Sequence, residues 1–273
     1  MVKFNNKTYR YSYLYILNNN KQTMKKSVLV AIAFVMGISL YAQAQKKKVA
    51  VVTFYGDKYI NFSELDGNAA LAGSIATLSK DPNFDIKPIV KKFHDTFFNE
   101  LAKELPFDLY PEEKVVKAQQ YIDYKSRMGE TEDATDPALL QNYVVADGYK
   151  PMVETLSKKY KNELKMLEIF GNEVDGVMFV YIDFSFVKKI AIGGTGSAGM
   201  KAYVRMKLWN KQGDKVFVVN ESANSDKTVA IIGGIPVIKV EKILPLCEDA
   251  ATQVIGDLKK RIPKMAAKVD KKL

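Results

Sequence analysis

The sequence predicts a mixed α/β protein: one mixed β-sheet with a long central strand and a C-terminal hairpin, packed by about four helices. The run 177–192 starts uniformly apolar, as a strand buried on both faces does, and then alternates. Period two continues downstream, in Ala202, Val204, Met206 and Leu208. The segments 85–105 and 246–262 instead place apolar residues at helical spacing, which predicts two amphipathic helices.

The remaining elements follow from composition and from proline and glycine positions. In chain order, the sequence predicts a buried strand at 49–54, a short strand at 107–110, a helix entered through Pro111 and a third helix over 152–170 that ends at Gly171. A turn at 210–214 separates two strands of the C-terminal hairpin, and Pro263 is expected to close the last helix.

The N-terminal segment 24–44 has the three parts of a bacterial secretory signal peptide. Lys25 and Lys26 give a positive start, 28–41 is uncharged and mostly apolar, and 42–44 reads Ala-Gln-Ala. An uncleaved membrane anchor is the alternative, but the apolar part is shorter than the ~20 residues that span a bilayer.

Cleavage is therefore expected between Ala44 and Gln45, which would place the mature protein in the periplasm. Residues 1–23 are expected to be a mis-called start or a disordered extension. A single α/β domain is expected over 45–263, followed by a frayed basic tail over 264–273.

The charge of the chain does not favour a nucleic-acid partner. The formal net charge is +10, but six of the 41 basic residues and none of the 31 acidic residues lie in 1–44. The rest of the chain carries a net charge of only +4. It also lacks an RNA-recognition motif and zinc-finger spacing, so no nucleic-acid partner is expected.

The stretch 194–199, Gly-Thr-Gly-Ser-Ala-Gly, matches the glycine fingerprint of dinucleotide-binding folds. In those folds the glycines open a helix whose N-terminus binds the pyrophosphate. Here a period-two pattern follows, and Glu221, at about the right distance for a ribose ligand, lies beyond another turn and strand. The glycines are interpreted as a flexible hairpin loop, and no nucleotide is expected.

Residues that could carry chemistry are few. The single histidine, His94, lies at the edge of an apolar helical stripe, and the single cysteine, Cys247, fits a small buried group on a helix. Ser197 lacks the preceding glycine of a nucleophile elbow. An acidic group lacks EF-hand spacing: Glu130, Glu132, Asp133 and Asp136. No catalytic residue, metal ligand or cofactor is expected, and the protein is not expected to be an enzyme.

The segment 230–240 is apolar but interrupted by Gly233, Gly234 and Pro236, so a single regular strand is not expected. Its candidate contact residues are Ile231, Ile232, Ile235, Val237 and Ile238. They either fold back and cap the core beside the last helix, or are partly exposed and dock on a partner or a membrane surface.

The order of elements resembles a group of envelope proteins. The stretches that carry the resemblance are VAVVTF at 49–54, EIFGNEVDGVMFVYI at 168–182 and the hairpin at 202–223, followed by a closing helix. They are similar to the periplasmic domain of curli secretion channel subunits, to outer-membrane activators of penicillin-binding proteins and to the N-terminal domain of the Tol-system β-propeller protein. The resemblance covers most of 48–262 and implies a non-enzymatic domain that acts through protein contacts. The lipid-bearing cysteine typical of the first two is missing here.

Two functions are compatible with these patterns. The favoured one is an exported, non-catalytic interaction or assembly protein of the cell envelope, with a protein partner and with peripheral membrane contact as a further option. The alternative is an exported small-ligand-binding protein or enzyme whose site is assembled from scattered residues. An exposed apolar patch favours the first, and a pocket with converging polar groups favours the second.

Overall fold

The computed structural model describes residues 46–65, 69–127, 140–155, 161–266 and Leu273. Within it, Lys46–Leu273 forms one compact unit. The expected signal peptide, its cleavage pair Ala44 and Gln45, and the extension 1–23 lie outside the described residues and stay predictions.

An open, mixed sheet of eight strands organises the described part of the chain. The strands are β1 Lys48–Asn61, β2 Asp108–Leu109, β3 Tyr143–Val145, β4 Gly176–Ile192, β5 Thr195–Asn210, β6 Lys215–Asn224, β7 Val229–Ile232 and β8 Ile235–Pro236. Their order is β2-β1-β4-β5-β7-β8, with β3 paired to β1 and β6 paired to β5. β1 is parallel to β2 and β4, and the other pairs are antiparallel. The predicted mixed α/β class and its long central strand, β4, are confirmed.

The helices differ from the predicted ones mainly at their ends. They are α1 Ala69–Lys80, α2 Lys87–Asn99, α3 Glu112–Val116, α4 Gln119–Asp123, α5 Asn162–Phe170 and α6 Val240–Ala266, with a 3-10 turn over Leu101–Glu104. The predicted helix over 85–105 is therefore two pieces, and the helix predicted from Pro111 is broken between α3 and α4. The break lets Tyr121, on α4, reach β1, where its hydroxyl donates to the Val52 carbonyl at 2.9 Å.

The predicted start of the third helix at Met152 was wrong, because tertiary hydrogen bonds hold this segment along β1. The Met152 N–H donates to Thr53 Oγ1 at 3.2 Å, and Glu154 pairs with Lys207 on β5. The last helix, α6, also runs past its expected end at Pro263. Met265, in the added turn, packs against the core, which gives the extra turn a tertiary contact.

The sheet buries both faces, but not over its whole length. One face of β4 presents Met178, Val180 and Ile182 to the larger core, to which α2 and α6 contribute. The other face presents Val177 and Phe179 to a smaller cluster that α3, α4 and α5 cover. That smaller cluster ends near the middle of β4. The sheet face beyond it carries polar and aromatic residues that are half-buried.

Candidate functional site

Two glycine turns of the same geometry end two adjacent hairpins. Gly193 and Gly194 join β4 to β5, and Gly233 and Gly234 join β7 to β8. All four have positive φ, between 56° and 79°, as two-residue type I′ hairpin loops require. A residue with a side chain would be strained at these φ values, so the paired glycines determine the turn type. The hairpin part of the interpretation of 194–199 is confirmed, but the loop is only Gly193 and Gly194, because the stretch from Thr195 onward lies in β5.

The two turns are held side by side. β7 pairs with β5 at Gly196↔Ile231, and the Gly234 N–H donates to the Gly194 carbonyl at 2.8 Å. The hydrogen bonding between the two hairpins therefore extends into their turns. We call the exposed isoleucines at these turns, Ile190, Ile192 and Ile232, the tip surface.

The tip surface is apolar and open to solvent. Ile190, Ile192 and Ile232 are 64%, 78% and 66% exposed. Their exposure follows from the topology: the pairing of β1 with β4 ends at Ser185, so the last part of β4 has only β5 beside it. The hairpin extends beyond the region that the helices cover.

The five candidate contact residues are split between core and surface. Ile231 is 4% exposed and belongs to the larger core, while Ile232, the next residue, is at the turn and exposed. The other three, Ile235, Val237 and Ile238, are half-buried. The expected interruption of the strand is confirmed, since β7, a glycine turn and β8 replace a single strand. A contact role for these residues stays a prediction.

Sequence reasoning missed Ile190 and Ile192, although a signal was present. The stretches Ile-Gly-Gly-Thr and Ile-Gly-Gly-Ile are near repeats, at 192–195 and 232–235. In both stretches an isoleucine comes directly before a two-glycine turn, a position at the end of a hairpin.

The charges beside the tip surface are positive. Lys188 and Lys189 are exposed on β4 close to the turn. The chain has no acidic residue between Asp183 and Asp214, or between Asp226 and Glu241, so the two hairpins contribute no negative side chain of their own at these turns. Lysines on an edge strand also discourage sheet-to-sheet aggregation.

The residues weighed for chemistry have structural partners. His94 Nε2 lies 2.7 Å from Glu112 Oε1, and its ring meets Phe54 edge-on at 5.1 Å. Burial lowers the pKa of His94, but the hydrogen bond and charge of Glu112 outweigh this and leave it raised. Glu221 was considered because its sequence spacing from the glycines is about that of a ribose ligand. Its two carboxylate oxygens accept hydrogen bonds from Arg261 on α6, at 2.6 and 2.8 Å.

Cys247 lies fully buried on α6, as predicted, and burial raises the pKa of its thiol. A thiol is reactive as a thiolate, so this one is expected to be inert in the folded protein. Mass spectrometry should find no alkylation by iodoacetamide under native conditions and complete alkylation in denaturant. Rapid native labelling would contradict the burial of α6 against the sheet.

Among the described residues, no group of three or more histidine, cysteine, aspartate or glutamate side chains is placed to hold a metal ion. The acidic group at 130–136 lies outside those residues. Ser197 is in β5, opposite Ile190. The expectation that the protein binds no nucleotide, metal or cofactor stays a prediction.

A second region was not found from sequence. Where the smaller core cluster ends, β1, β4 and β5 bring Tyr55, Asp57, Tyr181, Asp183 and Arg205 to one cleft. The alternation after Ile182 signals a half-exposed face, but pairing of β1 with β4 was needed to bring the two aspartates together.

Comparison with known proteins gives little. No protein-family model matches the chain, and no curated protein does. Among solved structures, a homolog of a neuraminyllactose-binding hemagglutinin from Helicobacter pylori is 10% identical, with 81% of this chain and 88% of that chain covered and a TM-score of 0.34. A lipoprotein from Neisseria meningitidis is 12% identical, with 77% and 99% covered and a TM-score of 0.24. Both TM-scores are too low to carry an argument about fold or function, and the resemblance to the curli, penicillin-binding-protein and Tol groups stays a prediction.

Proposed function

We propose that this chain is an exported, non-catalytic protein of the cell envelope that contacts an anionic membrane surface through the tip surface. The observation that carries the proposal is the tip surface itself: three exposed isoleucines on two hydrogen-bonded hairpin ends, with exposed lysines nearby in stretches of sequence that contain no acidic residue.

A hairpin end is suited to shallow insertion. Its backbone groups bond to the neighbouring strand, so an apolar turn can enter the headgroup boundary with fewer unsatisfied N–H and C=O groups than an irregular loop. Lysines a few residues behind the turn would then face anionic headgroups.

A membrane fits the tip surface better than a protein does. A stable protein interface buries about 800 Å² on each partner, whereas three isoleucine side chains supply a small part of that. Burial of each exposed isoleucine would stabilise the bound state by about 1–2 kcal/mol, and each nearby lysine by about 1 kcal/mol. The sum corresponds to reversible, peripheral binding.

Export enters this proposal from the signal-peptide pattern at 24–44. Among the described residues, no helix is both long and apolar enough to cross a membrane. The proposed contact uses the two hairpin ends of the sheet.

Co-sedimentation with lipid vesicles tests the proposal. The triple variant Ile190→Thr, Ile192→Thr and Ile232→Thr keeps β-branched side chains and removes apolar surface. Val218→Thr is the matched control, because Val218 is an exposed strand residue on β6, outside the tip surface. All proteins must share one N-terminus, checked by intact mass, so that residues 24–44 contribute equally.

Wild type and Val218→Thr are expected to bind vesicles with 30% anionic lipid, and the triple variant at least tenfold more weakly. Equal binding by the triple variant would contradict the tip surface as the contact. A protein partner from envelope extracts that is lost only in the triple variant, without vesicle binding by wild type, would overturn the membrane in favour of that partner.

A further inference from the structure

A cleft of about 380 Å³ lies on the uncovered half of the sheet face. Its walls are tyrosines and charged side chains: Tyr55, Tyr59, Tyr143, Tyr181, Asp57, Asp183, Glu154, Arg205 and Lys207. The volume is within the range of small-molecule sites, and the lining combines aromatic surface with a few polar groups. Ile192 of the tip surface is nine positions beyond Asp183 of the cleft along β4, which corresponds to about 30 Å of strand.

The aromatic wall has a defined geometry. The rings of Tyr55 and Tyr181 are stacked, with centroids 5.0 Å apart and an angle of 1° between their planes. Tyr143 meets Tyr55 edge-on, at 5.1 Å and 85°. Neighbouring strands hold these rings, so the wall is already formed in the described structure.

On the β5 side of the cleft each carboxylate has its own cation. Arg205 Nε lies 3.0 Å from Asp183 Oδ2, and Glu154 pairs with both Lys207 and Lys215. Lys207 also lies over the Tyr181 ring, 5.4 Å from its centroid. The arrangement on this side is a carboxylate, a cation and a tyrosine ring.

On the β1 side the carboxylate has no cation partner among the described residues. Asp57 accepts a hydrogen bond from the Tyr59 N–H at 2.8 Å, and it forms no ion pair with any described residue. It is directly opposite Tyr143 in the pairing of β1 with β3. The carboxylate and the aromatic ring of the β5-side arrangement are repeated here, and the positive charge is missing.

A β-bulge begins in β1 at Asp57, directly after the regular pair of Gly56 with Ile182. Gly56 pairs with Ile182 and Ile60 pairs with Phe184, so three residues of β1 oppose the single residue Asp183. Bulges redirect side chains and are common next to functional sites. Regular pairing would place Asp57 directly opposite Asp183 on the same sheet face, so the bulge interrupts the ladder between the two aspartates.

We propose that this cleft binds a small organic ammonium ion, with the Asp57 carboxylate as its counter-ion and the tyrosine rings as its walls. Aromatic faces attract cations, and a carboxylate fixes the position of the ammonium group. Burial, followed by the charge of Asp183, raises the pKa of Asp57, as expected for a carboxylate that lacks its cation. The proposal does not rest on the membrane contact of the tip surface.

Three probes of equal length test the charge that the cleft accepts: n-pentylammonium, 1-pentanol and pentanoate. Binding is measured on the full protein by calorimetry and by saturation-transfer NMR, at constant ionic strength and pH 7.5. Asp57→Asn is isosteric and removes the charge. The control is Asp147→Asn, because Asp147 is exposed and outside the cleft. Tyr143→Leu removes part of the aromatic wall and supplies a second, independent variant.

Pentylammonium is expected to bind wild type and Asp147→Asn saturably, and to bind Asp57→Asn at least tenfold more weakly. 1-Pentanol is expected to bind wild type at least tenfold more weakly than pentylammonium does. Tyr143→Leu should lose affinity severalfold. No saturation of wild type by about 20 mM pentylammonium would overturn the proposal. Unchanged binding by Asp57→Asn, or tighter binding of pentanoate than of pentylammonium, would overturn it as well. Vesicle binding through the tip surface should be the same in Asp57→Asn, which separates the two proposals.

Discussion

Ile231→Asp is expected to lower the free energy of unfolding by about 3 kcal/mol or more, whereas Ile232→Asp is expected to change it by less than about 1 kcal/mol. The two residues are neighbours on β7 but face opposite ways: Ile231 lies in the larger core and Ile232 is exposed at the turn. Aspartate at 231 would be a buried charge without a partner, whereas at 232 it would be solvated. Urea denaturation at pH 7 measures both.

Ile232→Asp, which should have the smaller effect on stability, should have a large effect on vesicle binding. Ile232→Asp places a negative charge in the tip surface and should reduce binding to anionic vesicles at least tenfold, while its unfolding curve stays close to that of wild type. A large loss of stability in Ile232→Asp would mean that the turn packs on the core and is no contact surface. Nearly unchanged stability in Ile231→Asp would contradict the placement of β7.

Asp57→Asn is expected to stabilise the folded protein at pH 7 by about 1–3 kcal/mol. Burial is the main reason that the pKa of Asp57 is raised from 3.8 to about 6, and the charge of Asp183 adds to it. The folded protein therefore holds this proton more tightly than the unfolded chain does. Above pH 6 the ionised carboxylate opposes folding, and the neutral amide removes that penalty.

The sign of the pH dependence follows from the same shift. Between about pH 4 and pH 6 the folded state binds the proton that the unfolded state has released, so the Asp57 contribution falls as pH rises through this window. Asp183, whose pKa is raised mainly by burial, acts in the same direction. The other titratable and charged groups of the cleft are Tyr55, Tyr59, Tyr143, Tyr181, Glu154, Arg205 and Lys207.

Denaturation at pH 4, 5, 6 and 7 should show that the free energy of unfolding decreases less with rising pH in Asp57→Asn than in wild type. Asp147→Asn, at an exposed site, is the control and should follow wild type. A less stable Asp57→Asn at pH 7 would mean that the carboxylate has a stabilising partner. That result would remove the argument for a missing cation in the cleft.

Much of the fold was accessible from sequence because burial leaves a periodic pattern. The apolar positions of β5 were predicted residue by residue and the apolar stripe of α6 from the helical spacing over 246–262. All of these positions are buried: Ala202, Val204, Met206, Leu208, Leu246, Ala250, Val254, Leu258 and Ile262. The helix ends were less predictable. The segment at Met152 and Glu154 has helical composition, but its hydrogen bonds go to Thr53 and Lys207, far away in sequence.

The candidate sites depend on strand pairing, which a single sequence does not specify. The tip surface needs β7 to pair with β5, so that Ile192 and Ile232 lie on the two sides of β5 at the same end of the sheet. The cleft needs β1 beside β4, with a bulge opposite Asp183. The glycines at 193–194 and 233–234 were visible, but the conformation that makes them matching turns is a property of the folded hairpins.

The most direct test of the membrane contact is the environment of a fluorophore at position 192. The variant Ile192→Cys can be labelled with an environment-sensitive dye, because the buried thiol of Cys247 is expected not to react. The same dye on Asp147→Cys, at an exposed site outside the tip surface, is the control. On vesicles with 30% anionic lipid, the dye at 192 should shift to shorter wavelength and brighten, while the dye at 147 should not change. Vesicle-bound protein whose dye at 192 stays in water would contradict the account.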